Sequence, residues 1–129
     1  MSAEARILVA DDNTDLLRAL TRVLRRHGVV TCVTSADDVL ALLRRGERFD
    51  LILLDLSLAP RAEFYELLTR VTSIDPDQAR RVVIHTGDTR VREMPGAPPF
   101  LEKPAGVSEI AALLVYVTTK YGRAIRNAA

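Results

Sequence analysis

The stretch Asp50-Leu51-Ile52-Leu53-Leu54-Asp55 decides the fold. Four apolar residues run without interruption and stop at a carboxylate. A strand with one wet face alternates apolar and polar residues. A continuous run of this length suits a strand buried on both faces, as in a parallel sheet covered by helices. Outward from it the pattern recurs. Ile7-Leu8-Val9-Ala10 precedes Asp11-Asp12, and Val29-Val30-Thr31-Cys32-Val33 is rich in β-branched residues. Val82-Val83-Ile84 leads into His85-Thr86-Gly87, and Pro99-Phe100-Leu101 is the shortest run.

Helical patterns fill the gaps. Leu16, Leu20, Val23 and Leu24 follow i, i+4, i+7, i+8. Ala36-Val39-Leu40-Leu43, Phe64-Leu67-Leu68-Val71 and Ile110-Leu113-Leu114-Val117 follow i, i+3, i+4, i+7. Each set predicts one apolar stripe packed on a sheet. Arg25-Arg26-His27 before Gly28, and Arg44-Arg45 before Gly46, predict helix ends with glycine in the left-handed cap. Ser35 and Ser108 are expected to cap the second and last helices. Asp37-Asp38 reads as a helix start, and the last helix is expected to run nearly to Ala129. Asp88–Pro98 leaves room for one or two helical turns. The order β-α-β-α-β-α-β-(short α)-β-α predicts a doubly wound α/β domain over 1–129, with helices on both faces of a parallel sheet.

Composition bounds the function. The chain has 129 residues, 48% hydrophobic and 27% charged, which fits one globular domain. Eighteen basic against seventeen acidic residues give a formal charge of +1. That balance argues against general nucleic-acid binding. No run approaches the ~20 apolar residues of a membrane span. The single cysteine, Cys32, excludes an intramolecular disulfide and reads as a small buried apolar residue in a reducing cytoplasm. Arg25-Arg26, Arg44-Arg45 and Arg80-Arg81 read as solvated faces and element ends. Of the basic residues only Lys103 and Lys120 are lysines.

In a doubly wound sheet, ligands bind at the carboxyl ends of the strands. There the sequence places Asp11 and Asp12, then Asp55, then Thr86 and Gly87, then Glu102, Lys103 and Pro104. Carboxylates about 4 Å apart repel by about 4 kcal/mol at an effective dielectric of 20, so three in one site invite a cation. Oxygen donors suit a hard ion such as Mg²⁺. Lys103 adds a point charge fit for a phosphoryl oxygen, and Thr86 a hydroxyl donor. This set describes phosphoryl transfer to a carboxylate. Each residue alone has a plainer reading: Asp11-Asp12 as a cap of the first helix, Thr86-Gly87 and Lys103-Pro104 as turns. One such group after each of four strands favours the functional one.

At these residues the chain resembles a bacterial response-regulator receiver domain. The matching motifs are Ile7-Leu8-Val9-Ala10-Asp11-Asp12, Asp50-Leu51-Ile52-Leu53-Leu54-Asp55-Leu56, His85-Thr86-Gly87 and Phe100-Leu101-Glu102-Lys103-Pro104. The resemblance implies a flavodoxin-like five-stranded sheet of order 2-1-3-4-5. It implies Asp55 as phospho-acceptor, Mg²⁺ held by Asp12, Asp55 and the Ser57 carbonyl, and Asp11 acting mainly through water. Thr86 and Phe100 become switch residues, Lys103 the phosphate-pairing lysine, and Lys103-Pro104 a cis peptide. A histidine kinase or phosphotransfer protein becomes the donor and another protein the target. The protein then catalyses only its own phosphorylation and dephosphorylation, and no output domain follows.

Departures are also visible. The family often places Met-Pro after its acceptor and a glycine about eight residues on. Here Asp55-Leu56-Ser57-Leu58-Ala59-Pro60 delays the proline and no glycine follows, which predicts a rebuilt loop and leaves the third helix start open. Only 16 residues separate Thr86 from Lys103, which shortens the fourth helix of the family's order. That weakens the expectation of a dimer through this face. Two other readings stand beside the signalling one: a receiver-like binding module that takes no phosphate, and an aspartate-nucleophile phosphatase. The latter usually places a second acid two residues after the nucleophile, where Asn13 stands after Asp11.

Overall fold

β3 (Leu51–Leu54) lies at the centre of the sheet with all four side chains buried. The computed structural model describes residues 4–59 and 62–124. β1 (Arg6–Ala10) and β4 (Val82–Thr86) flank β3, and β2 (Val29–Val33) and β5 (Phe100–Glu102) form the edges. The order is 2-1-3-4-5 and every pairing is parallel. The alternating runs predict this doubly wound parallel sheet, and the strand order is the flavodoxin-like one that the resemblance implies.

Alternate strand residues feed two cores. Leu8, Ile52, Leu54 and Ile84 pack with α2 (Ala36–Arg44) and α3 (Ala62–Ile74). Ile7, Val9, Leu51, Leu53 and Val83 pack with α1 (Thr14–Leu24) and α5 (Val107–Tyr121). Each full burial of such a side chain stabilises by about 2 kcal/mol. Single-turn elements complete the chain: a 3₁₀ turn at Leu56–Leu58, α4 (Pro76–Ala79) and a 3₁₀ segment at Thr89–Glu93. The last is the short helical piece expected before β5. α4 has no counterpart in the sequence reading: Asp75 caps it, with Pro76 at its first position, a start signal that four residues cannot extend into a periodic stripe.

Several local expectations are corrected. The α1 stripe is Leu17, Leu20 and Leu24, with Val23 44% exposed and Leu16 only partly buried, so the helix is rotated by about one residue. Asn13, not Asp11 or Asp12, caps α1 by accepting from the Leu16 N–H. Gly28 does not take the left-handed conformation, unlike Gly46 at φ 85°. A Cβ at Gly28 would stand 2.4 Å from the Ala5 carbonyl oxygen, so close backbone approach to β1 demands glycine there. Ser35 caps α2 as expected. Ser108 caps nothing: α5 starts one residue earlier, and Glu109 closes back on the Gly106 N–H at 3.0 Å. α5 ends at Tyr121, where Gly122 at φ 76° stops it short of the expected end near Ala129. The last five residues, and Pro60 in the loop after Asp55, lie outside the described residues.

The amino end of the sheet carries an ion network. Arg81, expected to be solvated, is 1% exposed. It donates to Asp77, to the Asp50 carbonyl and to the Tyr121 carbonyl. Arg48 pairs with Asp75 and Asp77, and Arg80 with Asp77. Asp50, also 1% exposed, accepts from the Arg6 N–H, the Arg123 Nε and the Ala124 N–H. Gln78 bridges both backbone groups of Phe49. Five of the sixteen arginines, Arg6, Arg48, Arg80, Arg81 and Arg123, are structural here.

Candidate functional site

The register assembles the site. Ala10 pairs with Leu54 and Leu54 with Ile84, so the next residues, Asp11, Asp55 and His85, stand level on three adjacent strands. Strand alternation turns them to the face of Val9, Leu53 and Val83. Lys103, just past β5, reaches across this row. Its Nζ donates to Asp11 Oδ2 at 2.5 Å and to Asp55 Oδ2 at 3.0 Å. Its own N–H donates to the Thr86 carbonyl at 2.9 Å, and the Lys103–Pro104 peptide is cis.

Asp11 and Asp55 are buried and Asp12 is exposed. Carboxylate oxygens of the three lie within 4.8 Å of one another. Asp55 is held tightly. Ser57 donates its hydroxyl to Oδ2 at 2.6 Å and its N–H to Oδ1 at 3.3 Å. Burial pushes the Asp55 carboxyl up, but the Ser57 hydroxyl, Lys103 and the Ser57 N–H together hold it below the usual carboxylate range. Burial likewise opposes the charge on Lys103, while Asp11 and Asp55 outweigh it and raise its pKa. The site therefore holds a buried carboxylate at Asp55 beside the Lys103 ammonium, each favouring the charged form of the other. Three carboxylates against one ammonium leave net negative charge, and hard oxygen donors at this spacing fit Mg²⁺.

Thr86 is buried at the end of β4, and its hydroxyl accepts from the Asp88 N–H at 3.2 Å. Phe100 stands level with Ile84 and is 37% exposed. The connection between them is pinned by Tyr65, which donates to the Pro95 carbonyl at 2.6 Å, and by ion pairs Asp88–Arg90 and Arg92–Glu102. Asp11, Asp12, Asp55, Ser57, Thr86, Lys103 and Pro104 thus follow or end strands on the carboxyl rim, whereas Phe100 opens β5, two residues back from it. The Ser57 hydroxyl on Asp55 was not anticipated, although a serine two residues past a strand-end aspartate is a recognised turn signal.

His85 was missed as well. It is 2% exposed, and neither ring nitrogen has a hydrogen-bond partner among the described residues. Burial and then Lys103 lower its pKa, against Asp11, Asp55 and Glu109. Cys32 is corrected: it is exposed at the β2 edge, its Sγ 3.2 Å from the Thr21 hydroxyl.

A doubly wound sheet with an acidic cluster and one lysine at its carboxyl rim defines the class. Residues 7–115 match the response regulator receiver domain family, and the chain belongs to it. A response regulator receiver protein of Anaeromyxobacter sp. (strain Fw109-5) is 34% identical over 112 residues, covering 84% of this chain and 46% of that protein. The probable histidine kinase 4 of Oryza sativa subsp. japonica is 36% identical over 70 residues, 54% of this chain and 7% of that protein. The chain spans less than half the length of these two relatives. Among solved structures, a response regulator from Burkholderia pseudomallei, described with a phosphorylated aspartic acid, a calcium ion and citrate, superposes with a TM-score of 0.69 at 28% identity. That match covers 91% of this chain and 72% of the other. The adenylate cyclase structure from Rhodopirellula baltica gives a TM-score of 0.76 at 27% identity, covering 92% and 90%. This chain is therefore a receiver domain of the two-component type. No described helix is long and apolar enough to cross a membrane.

Proposed function

We propose that Asp55 accepts a phosphoryl group from a histidine kinase or phosphotransfer protein. The observation that carries this is the buried, ionised Asp55, bound by Lys103 and grouped with Asp11 and Asp12. An Asp55 carboxylate oxygen attacks phosphorus, a P–O bond forms, the donor's P–N bond breaks, and the departing imidazole takes up a proton. Asp12, Asp55 and the Ser57 carbonyl would hold Mg²⁺, with Asp11 mainly through water; bound there, the ion offsets charge on the transferring group. Lys103 does the same from the β5 side. The Ser57 hydroxyl must give up Asp55 Oδ2 or turn with it, which makes Ser57 a brake on transfer.

For the switch, Thr86 exchanges its Asp88 N–H for a phosphoryl oxygen, and Phe100 turns inward from its half-exposed position. The two arrangements form a two-state surface that phosphate biases toward a protein target. A cytoplasmic setting fits both the donor and the exposed free thiol. The domain turns over no external substrate in this reading.

Acetyl phosphate with Mg²⁺, followed by intact mass, tests the proposal. The expected result is a gain of one phosphoryl group that Asp55→Ala abolishes. No gain would favour the binding-module reading, and turnover of a generic phosphate ester the phosphatase one.

A further inference from the structure

The sheet is left open at β2. This strand is terminal and pairs only with β1. Val29 donates to the Ala5 carbonyl and the Val33 carbonyl accepts from the Asp11 N–H. By the two-residue period of the ladder, the N–H and C=O groups of Val30 and Cys32 therefore point away from the sheet. Natural edges are guarded by proline, lysine or inward charge. Val29-Val30-Thr31-Cys32-Val33 has none of these, and Val29 is 47% exposed.

Beside that edge a groove of about 430 Å³ opens between α1 and β2, lined by Leu17, Arg18, Thr21, Arg22, Arg25 and Cys32. Its floor is apolar at Leu17 and its wall is one-signed. Arg18, Arg22 and Arg25 follow i, i+4, i+7 and span about 10 Å along α1. Asp15 meets Arg18 at 3.8 Å, with both side chains largely exposed. Arg22 and Arg25 have no carboxylate partner among the described residues.

We propose that this edge and groove bind an extended acidic segment of a partner protein, which adds to β2 as a sixth strand. Alternate side chains of an added strand would face α1 about 7 Å apart, so carboxylates at i, i+2, i+4 span about 13 Å. The three arginine side chains reach that far. Main-chain bonds to Val30 and Cys32 supply the docking, and the guanidiniums select acidic side chains. A second copy is the wrong occupant. Antiparallel β2–β2 pairing would bring the two α1 helices to one face and set arginine against arginine. Nucleic acid matches the guanidiniums but not the outward N–H and C=O repeat.

The test uses an end-blocked seven-residue peptide alternating valine and glutamate. Two readouts apply: alkylation of Cys32 by neutral iodoacetamide, and amide shifts at Val30 and Cys32. The peptide is expected to slow alkylation severalfold and move both amides, less so as salt rises. Arg22→Glu with Arg25→Glu, both exposed positions, should weaken binding about tenfold or more. The proposal is overturned by any of four results: equal binding of the peptide with lysine for glutamate, unchanged binding by the double variant, an oligonucleotide binding where the peptide does not, or a β2-mediated dimer without peptide.

Discussion

Asp11 and Asp50 are each 1% exposed, and they sit at opposite ends of neighbouring central strands. Asp50, before β3, accepts from two main-chain N–H groups and a guanidinium. Around it four carboxylates, Glu47, Asp50, Asp75 and Asp77, meet five guanidiniums, Arg6, Arg48, Arg80, Arg81 and Arg123. Asp11, after β1, shares one ammonium with Asp55 and has Asp12 beside it. Burial is the same; charge compensation is not. The amino end is a satisfied network that holds the fold, and the carboxyl end is kept short of cations. That uncompensated negative charge suits a cation, which is the role the proposed mechanism gives to Mg²⁺.

The sharpest way to break the comparison is to delete each acid. Asp50→Ala strands the Arg6 and Ala124 N–H groups and takes a carboxylate from Arg123, whose side chain is 40% exposed, so urea unfolding should show a loss of about 2–4 kcal/mol. Phosphorylation of the molecules that remain folded should be unaffected. Equal damage from Asp11→Asn would erase the distinction. His85→Leu comes next: it removes two orphaned ring nitrogens at similar volume and should raise stability by about 1–2 kcal/mol. A loss of stability would mean the ring has a partner in solution. Asp11→Asn is the mildest, since lost attraction to Lys103 is offset by relieved repulsion from Asp55, with a net change of about 1 kcal/mol or less. Its Mg²⁺-dependent phosphorylation should nonetheless fall steeply.

A pH series sharpens the same contrast. The folded-state pKa of His85 is lowered, so as pH falls the unfolded chain takes the proton first. Stability is then full above about 6.5 and declines as pH drops through that value toward the folded pKa. His85→Leu should remove this decline. Asp55 and Asp77 are also lowered, so their contribution is present above about 3.8 and is lost as pH falls through their folded values. Lys103 is raised: its contribution holds below its ordinary value and is lost as pH rises through the folded one.

The strands and the acidic rim were legible because they rest on local signals. Leu51–Leu54 announces a buried strand, and Asp55 announces the end of one. Register then carries Asp11 and Asp55 together without further information. Arg81 and Cys32 were misread for the opposite reason. Burial of Arg81 depends on the Tyr121 carbonyl forty residues away; only Asp77, four residues back, hinted at it. Cys32 lies in a β-branched run that looks central, and nothing local marks β2 as an edge. The α1 stripe slipped by one residue because Leu16 and Leu17 are equally apolar, and only packing chooses between them.

The chain's two lysines give it a chemical self-report. An amine-acylating reagent meets just two side-chain targets, Lys103 and Lys120. Lys120 is exposed beside Tyr116, whereas the Lys103 Nζ is clasped by two carboxylates. Lys120 therefore serves as an internal standard. The ratio of the two acylation rates would follow how firmly the ammonium is engaged by Asp11 and Asp55, on the native chain and with no engineered probe.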